Sequence, residues 1–285
     1  MTRRRFPVGK TLLYVFMSLW ALTTIYPFIW VILNSFKPRG LIRSDTFSLP
    51  IGDKFTLENY VTAFKRVDIG TAYVNSIVIS GAVTVVVMVL AGLAAYAMVR
   101  YSFRLRGFLH SMIIASMMFP VFSMIIPVFR MESSWGIVNT GSIWLTRLSV
   151  VLPQIAGNLS FAIIVLMGFI RSLPVDLEEA AYLEGYNVYQ IFFRIIMPLA
   201  KPSFATVGIF TFLWSYNDLF LQMFFLRSKK FFTITRLLNE ISSQAGTNYG
   251  LMVAAVVMVV IPVLVVYIFL QNYIIKGMTA GAVKG

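Results

Sequence analysis

Trp214, Tyr216, Asn217 and Asp218 stand close together inside an otherwise apolar run. As a group they have the chemistry to hold a sugar: aromatic faces cover the apolar side of a pyranose ring, while amide and carboxylate groups hydrogen-bond its hydroxyls. An ionisable residue in such a run is a functional candidate by default, because charge is costly in hydrocarbon. The competing reading is structural, with Asp218 capping or pairing where a helix breaks. The residues alone leave both open, and the structural reading is preferred.

A second group is charged and bounded by prolines. The segment 176–202 reads DLEEAAYLEGYNVYQIFFRIIMPLAKP and is too polar at its start to lie in hydrocarbon. Ala180, Ala181 and Leu183 form a slim apolar surface, and Glu178, Glu179 and Glu184 supply charges that a basic rim on a partner would pair with. Gly185 tolerates the left-handed conformation of a helix stop, and Pro198 and Pro202 set the angle at which the chain re-enters the membrane. The spacing predicts a short amphipathic helix, a glycine break and a second helical approach, which together make a docking element. Its bland alternative is a solvated loop with incidental acids.

Chemistry carried by the chain itself is not expected. No G-x-x-x-x-G-K-[ST] phosphate loop occurs, so any ATP-derived energy must come from a partner. His110 is the only histidine, and interfacial packing suits it better than ligation. The absence of cysteine excludes a disulfide framework, a thiolate metal site and a cysteine nucleophile. No catalytic residue and no metal site are predicted. The methionines, Met112, Met117, Met118, Met124 and Met131 among them, read as adaptable packing. Asn158 and Ser160 complete an Asn-x-Ser triplet inside a predicted span, where they are expected to hydrogen-bond across helices.

Membrane helices must position these groups. With 59% hydrophobic and 12% charged residues and a mean hydropathy of +0.82, the chain cannot be solvated as a globular domain. A span needs about 20 mostly apolar residues, and six stretches qualify: 12–33, 73–99, 108–130, 148–170, 203–226 and 251–274. Backbone groups in lipid must pair internally, and these runs lack the alternation of a barrel strand. The expected fold is therefore all-α, a polytopic membrane protein with six transmembrane helices. Arg3, Arg4 and Arg5 precede a run as long as a full span with no small-residue cleavage site, so it reads as a retained first helix.

The net charge of +13 is spread over loops, without a basic helix or a stacking module, and nucleic acid is not an expected partner. Short basic clusters at Arg3, Arg4, Arg5 and Lys10 and at Arg100, Arg104 and Arg106 orient the chain. They place both termini, the loop 100–107 and the segment 176–202 in the cytoplasm. The expected organisation is a cytoplasmic N-terminus (1–11), a six-helix transmembrane domain (12–274) and a cytoplasmic tail (275–285). Thr56 is positioned to cap a short helix in the long external loop 34–72. Gly81, Ala91, Gly92, Ala94, Ala95 and Ala97 let a neighbouring helix approach the second span. Pro120, Pro127 and Pro262 predict kinks or local unwinding.

Glu179-Ala180-Ala181, three residues, Gly185, nine residues, Ile195, one residue and Met197-Pro198 resemble the central motif of a known family. These are the membrane permease subunits of binding-protein-dependent ABC importers of the carbohydrate type, in particular the second subunit of maltose-like systems. Met197 replaces the usual leucine, and Glu184 the usual aspartate. Asn34-Ser35-Phe36-Lys37, the segment 55–60, Asn75-Ser76, Trp214 to Asp218 and the tail 276–285 look like the same family in the same order.

The resemblance implies a type I importer transmembrane domain for an oligosaccharide or glycoside. Its implied partners are a second permease subunit in a heterodimer, two ATP-binding subunits that hold ATP and Mg, and an extracytoplasmic solute-binding protein. It implies a prokaryotic cytoplasmic membrane, no cofactor in this chain, and no enzymatic activity of its own. It implies that Glu178, Glu179, Ala180, Ala181, Gly185 and Pro198 belong to the coupling element seated in an ATPase cleft. By the same resemblance the tail, with Lys276, Gly281 and Lys284, reaches toward the ATPase interface. Arg130 and Glu132 read as interfacial charges or contacts to the docked binding protein. Two other readings stay open: an ion- or proton-coupled secondary transporter using Asp218, and a permease for a non-sugar solute such as glycerol phosphate.

Overall fold

The computed structural model describes residues 8–66, 68–245 and 248–282. Its α-helices in chain order are α1 (Val8–Ser35), α2 (Leu41–Ser44), α3 (Glu58–Arg66), α4 (Ile69–Arg100), α5 (Arg106–Ser116), α6 (Val121–Ser134) and α7 (Ile143–Ile170). There follow α8 (Asp176–Leu183), α9 (Val188–Ile191), α10 (Met197–Leu199), α11 (Lys201–Asn217), α12 (Leu219–Phe225), α13 (Ile234–Ala245) and α14 (Tyr249–Ala282). A π-helical turn, Phe192–Ile196, lies between α9 and α10. No strand occurs among the described residues, in line with the all-α expectation.

Among the described residues three helices are long and apolar enough to cross a bilayer: Gly9–Ser35, Ile69–Arg100 and Ile143–Ile170. Two more spans are broken pairs: Arg106–Ser116 with Val121–Ser134, bent by 104°, and Val188–Leu199 with Lys201–Asn217, bent by 82°. In α14 the stretch Tyr249–Val265 is apolar, and the helix continues to Ala282. Length and composition thus give three to five of the six expected spans among the described residues.

The differences have local causes. The stretch 108–130 is not one helix, because Pro120 lacks an N–H, adopts φ −63° and ψ 121°, and stands where the chain turns between α5 and α6. Pro127 and Pro262, by contrast, lie inside α6 and α14 without ending them. The stretch 203–226 is interrupted at Asp218, whose φ −72° and ψ 84° separate α11 from α12.

The chain divides into two compact units. One comprises Met1–Asp68 with Leu238–Pro262, the other Ile69–Leu237 with Val263–Gly285. In the first, buried Lys37 donates from Nζ to the carbonyls of Asp45 (3.0 Å) and Thr46 (2.9 Å). Asn59 Nδ2 donates to the carbonyls of Ser35 and Lys37 at 2.9 and 2.8 Å. The loop after α1 is thereby fastened to α3, and Thr56 Oγ1 accepts from Glu58 N as expected of a cap. Large apolar side chains of α1 between Leu12 and Ile29 remain exposed.

In the second unit α4, α7 and α11 pack along a shared core of Val83, Val87, Ala91, Ala162, Leu166 and Val207. Of the small residues expected to admit a neighbour to α4, Gly92 does so, whereas nothing stands within 4 Å of a Cβ built at Gly81. A Cβ at Gly92 would stand 2.8 Å from Phe204 Cζ and 3.0 Å from Phe192 Cζ, so only glycine admits both rings. This close approach brings the chain on either side of α10 against the C-terminal half of α4.

Candidate functional site

Three acids, Asp176, Glu178 and Glu179, occupy the first turn of α8, where they complement the positive end of the helix dipole. The helix stops as the glycine predicts. Gly185 has φ +84°, its N–H donates to Tyr182 O (3.0 Å), and Tyr186 N–H donates to Ala181 O (3.0 Å). These two bonds make a complete Schellman stop. One residue later a new helix is started by a capping box, with Asn187 Oδ1 accepting from Gln190 N and Gln190 Oε1 accepting from Asn187 N, both at 2.9 Å. The elbow is therefore specified on both sides by local hydrogen bonds. Its exit runs through the π-helical turn, with Phe192 and Ile196 buried and Pro198 exposed.

The two faces of α8 differ. Ala181 and Glu178 are buried within the chain, at 4% exposure each. Glu178 Oε1 accepts from Arg100 Nε at 2.5 Å, and its Oε2 accepts from the Tyr96 hydroxyl at 2.7 Å. The expectation that Glu178 and Ala181 face a partner is corrected here: the carboxylate that most needs a cation already has one on α4. The outward face consists of Glu179, Ala180, Leu183 and Glu184, and Leu183 is 91% exposed. Tyr182 shares a hydroxyl–hydroxyl bond of 3.0 Å with Tyr101, and that bond pushes the Tyr182 phenol above its ordinary pKa.

The aromatic and polar group around α11 does not converge. Trp214 is exposed and packs with Phe161 and Phe210, at ring separations of 4.8 and 5.8 Å. Asn217, three residues on and so on the same helical side, is exposed and donates to Leu213 O. Tyr216 is buried. Asp218 caps α12 through Oδ1, which accepts from Leu221 N at 3.2 Å, and its Oδ2 accepts from Gln154 Nε2 at 3.1 Å. Gln154 is held in turn by Ser215 Oγ, which donates to its Oε1 at 2.6 Å. Both carboxylate oxygens of Asp218 are thus engaged in holding the helix break. Asp218→Ala is expected to lower stability in detergent by about 1 kcal/mol, the usual worth of an N-cap, while Asp218→Asn retains most of it; thermal unfolding of the two variants measures the difference.

The remaining predicted residues are dispersed. Lys276 and Gly281 fall in the C-terminal part of α14, and Lys284 lies outside the described residues. Ser160 bridges helices by a 2.5 Å bond to Ser116, whereas among the described residues Asn158 bonds within α7, to Gln154 O. Glu132 is not an interfacial charge: it is 1% exposed, and its Oε2 has no hydrogen-bond partner. Among the described residues no cluster of His, Cys, Asp or Glu is suited to a metal. Tyr96 and Arg100 escaped the sequence reading. Their signal was the four-residue spacing from Gly92 to Tyr96 to Arg100 along one side of α4.

Residues 88–280 match the family model described as binding-protein-dependent transport system inner membrane component. The diacetylchitobiose uptake system permease protein of Streptomyces coelicolor is 33% identical over 273 residues, covering 95% of this chain and 88% of that protein. The trehalose transport system permease protein of Mycobacterium tuberculosis is 32% identical over 263 residues, covering 92% and 93%. The crystal structure of a bacterial ABC transporter involved in the import of the acidic polysaccharide alginate contains a chain that superposes with a TM-score of 0.81 at 24% identity. That superposition covers 96% of this chain and 99% of the other.

Proposed function

Because the chain belongs to the family of binding-protein-dependent transport system inner membrane components, we propose that it is one of two membrane permease subunits of an ATP-driven importer for an oligosaccharide or glycoside. Relatives named for uptake of diacetylchitobiose, trehalose and arabinooligosaccharides support the substrate class. The chain is not itself an enzyme. ATP and Mg are bound by two partner subunits, and an extracytoplasmic binding protein delivers the sugar. Both termini and the elbow at Gly185 face the cytoplasm of a prokaryotic cell.

The observation that carries this reading is the two-sidedness of α8. One face is bolted to α4 through Glu178, and the other presents Leu183 to the outside at 91% exposure. A leucine held out from a rigid, charged element beyond the spans is suited to burial in a partner's cleft. When ATP draws two soluble subunits together, α8 moves with the subunit that holds it, and the attached helices rotate as rigid bodies, giving alternating access. Hydrolysis resets the inward-facing state. A secondary transporter built on Asp218 has less support, since both oxygens of that carboxylate are committed to Leu221 N and Gln154.

The test is dependence on partners. Purified alone, the chain is expected to show neither ATP hydrolysis nor transport, and co-expression with the matching permease, ATPase and binding-protein subunits confers both. Solute accumulation by the isolated chain in vesicles under an imposed proton or sodium gradient would overturn the reading.

A further inference from the structure

One stripe of α4 receives both the first turn of α8 and the π-helical turn after the elbow. Gly92, Tyr96 and Arg100 follow one another at four-residue intervals and so stack on one helical side. Gly92 lies under the rings of Phe204 and Phe192. Tyr96 packs its ring 5.6 Å from Phe192 and donates its hydroxyl to Glu178. Arg100 does two things with one guanidinium: Nε donates to Glu178 in the first turn of α8, and Nη2 donates at 2.9 Å to the carbonyl of Leu173, in the turn that joins α7 to α8.

We infer that Arg100, with Tyr96, is a positioning residue for energy coupling: the fork on Glu178 and Leu173 makes α8 and the end of α4 one rigid body, so a push on α8 moves α4. This deepens the importer reading and rests on it. The reason is mechanical. Without the fork, α8 is held to the bundle by the packing of Ala181, the exposed Tyr182–Tyr101 bond, the turn at 171–175 and the elbow at Gly185, and bending at the turn or the elbow would absorb much of the motion. Arginine suits the task because its planar guanidinium presents several donors in fixed directions, whereas lysine offers a single mobile ammonium. Burial adds stiffness, since at 4% exposure Glu178 has little water to replace a lost partner.

Arg100 and Tyr96 bond to Glu178 and Leu173 of their own chain, so their effect is read in the ratio of solute taken up to ATP hydrolysed. The full complex is reconstituted in vesicles with Arg100→Lys, with Tyr96→Phe, and with both. Arg100→Lys keeps the charge, and Tyr96→Phe keeps the ring, so assembly is expected to be retained. Each single variant is expected to hydrolyse ATP within about twofold of wild type while the uptake ratio falls about threefold, and the pair about tenfold. A purely structural role would lower the amount of assembled complex, or its melting temperature, and leave the ratio unchanged. That outcome, or a wild-type ratio in all three variants, overturns the inference. A wild-type complex that shows no ATP-dependent uptake would instead overturn the importer reading.

Discussion

Gly185→Val is expected to reduce solute uptake at least tenfold while leaving the melting temperature of the complex nearly unchanged. A side chain at this position has room, because no heavy atom lies within 4 Å of where its Cβ would stand, so the penalty is conformational rather than steric crowding. With φ at +84° the backbone occupies a region that costs an L-residue roughly 1–2 kcal/mol, and a β-branched residue more. The cheapest escape is to open the Schellman stop, giving up the bonds from Gly185 N to Tyr182 O and from Tyr186 N to Ala181 O. That changes the elbow angle and hence the direction in which α8 transmits force. Asparagine tolerates the left-handed conformation far better, so Gly185→Asn is expected to retain most uptake. Parallel measurement of uptake and hydrolysis on the two variants separates backbone strain from loss of a side-chain contact. Equal uptake by the valine variant and wild type would remove the elbow from the mechanism.

Leu183→Asp is expected to weaken association with the ATPase subunit by about 10- to 100-fold. Fully burying a leucine contributes about 1.5–3 kcal/mol, and each 1.4 kcal/mol is about a factor of ten in affinity. Because Leu183 is 91% exposed within the chain, the substitution breaks no internal packing, and the fold is expected to be unaffected. Leu183→Met, which conserves apolar volume, retains association. Co-purification of the ATPase subunit at graded concentrations reads the effect. Full association of the aspartate variant would show that α8 docks by another surface or not at all.

The docking element was legible because its signals are local. A glycine at a helix stop and a short helix rich in acids before it each act over a few residues, and each is realised at the expected place, while the Asn187–Gln190 box that starts the next helix emerges only in the structure. The orientation of α8 was not legible. Glu178 and Glu179 are adjacent and chemically alike, and only the arrival of Arg100 and Tyr96 from a helix 78 and 82 residues distant turns one inward and leaves the other outside. Arg100 read as a loop-flanking charge, since sequence hydropathy places it correctly at the end of a span without naming its partner.

The breaks inside two of the apolar runs came from particular residues, Pro120 and Asp218, and not from hydropathy. Apolar content runs smoothly through Pro120 and Asp218, yet the backbone turns at the first and is capped at the second. Hydropathy reports what lipid or a core will accept; it does not report where hydrogen bonding is interrupted. The structural reading of Asp218 fits its geometry, but the partner that completes it, Gln154, carried no signal in an apolar helix. Nor did composition foretell that Glu132 would be withdrawn from the surface.

The central claim is that α8 is gripped from the cytoplasmic side by an ATP-driven subunit, and accessibility of a single thiol at Leu183 tests it most directly. The chain has no cysteine, so Leu183→Cys introduces its only thiol. With a membrane-impermeant maleimide, the account predicts no labelling of intact cells expressing the chain, labelling after permeabilisation when the ATPase subunit is absent, and protection when that subunit is present. Labelling from outside intact cells, or labelling that the assembled ATPase subunit fails to block, would contradict it.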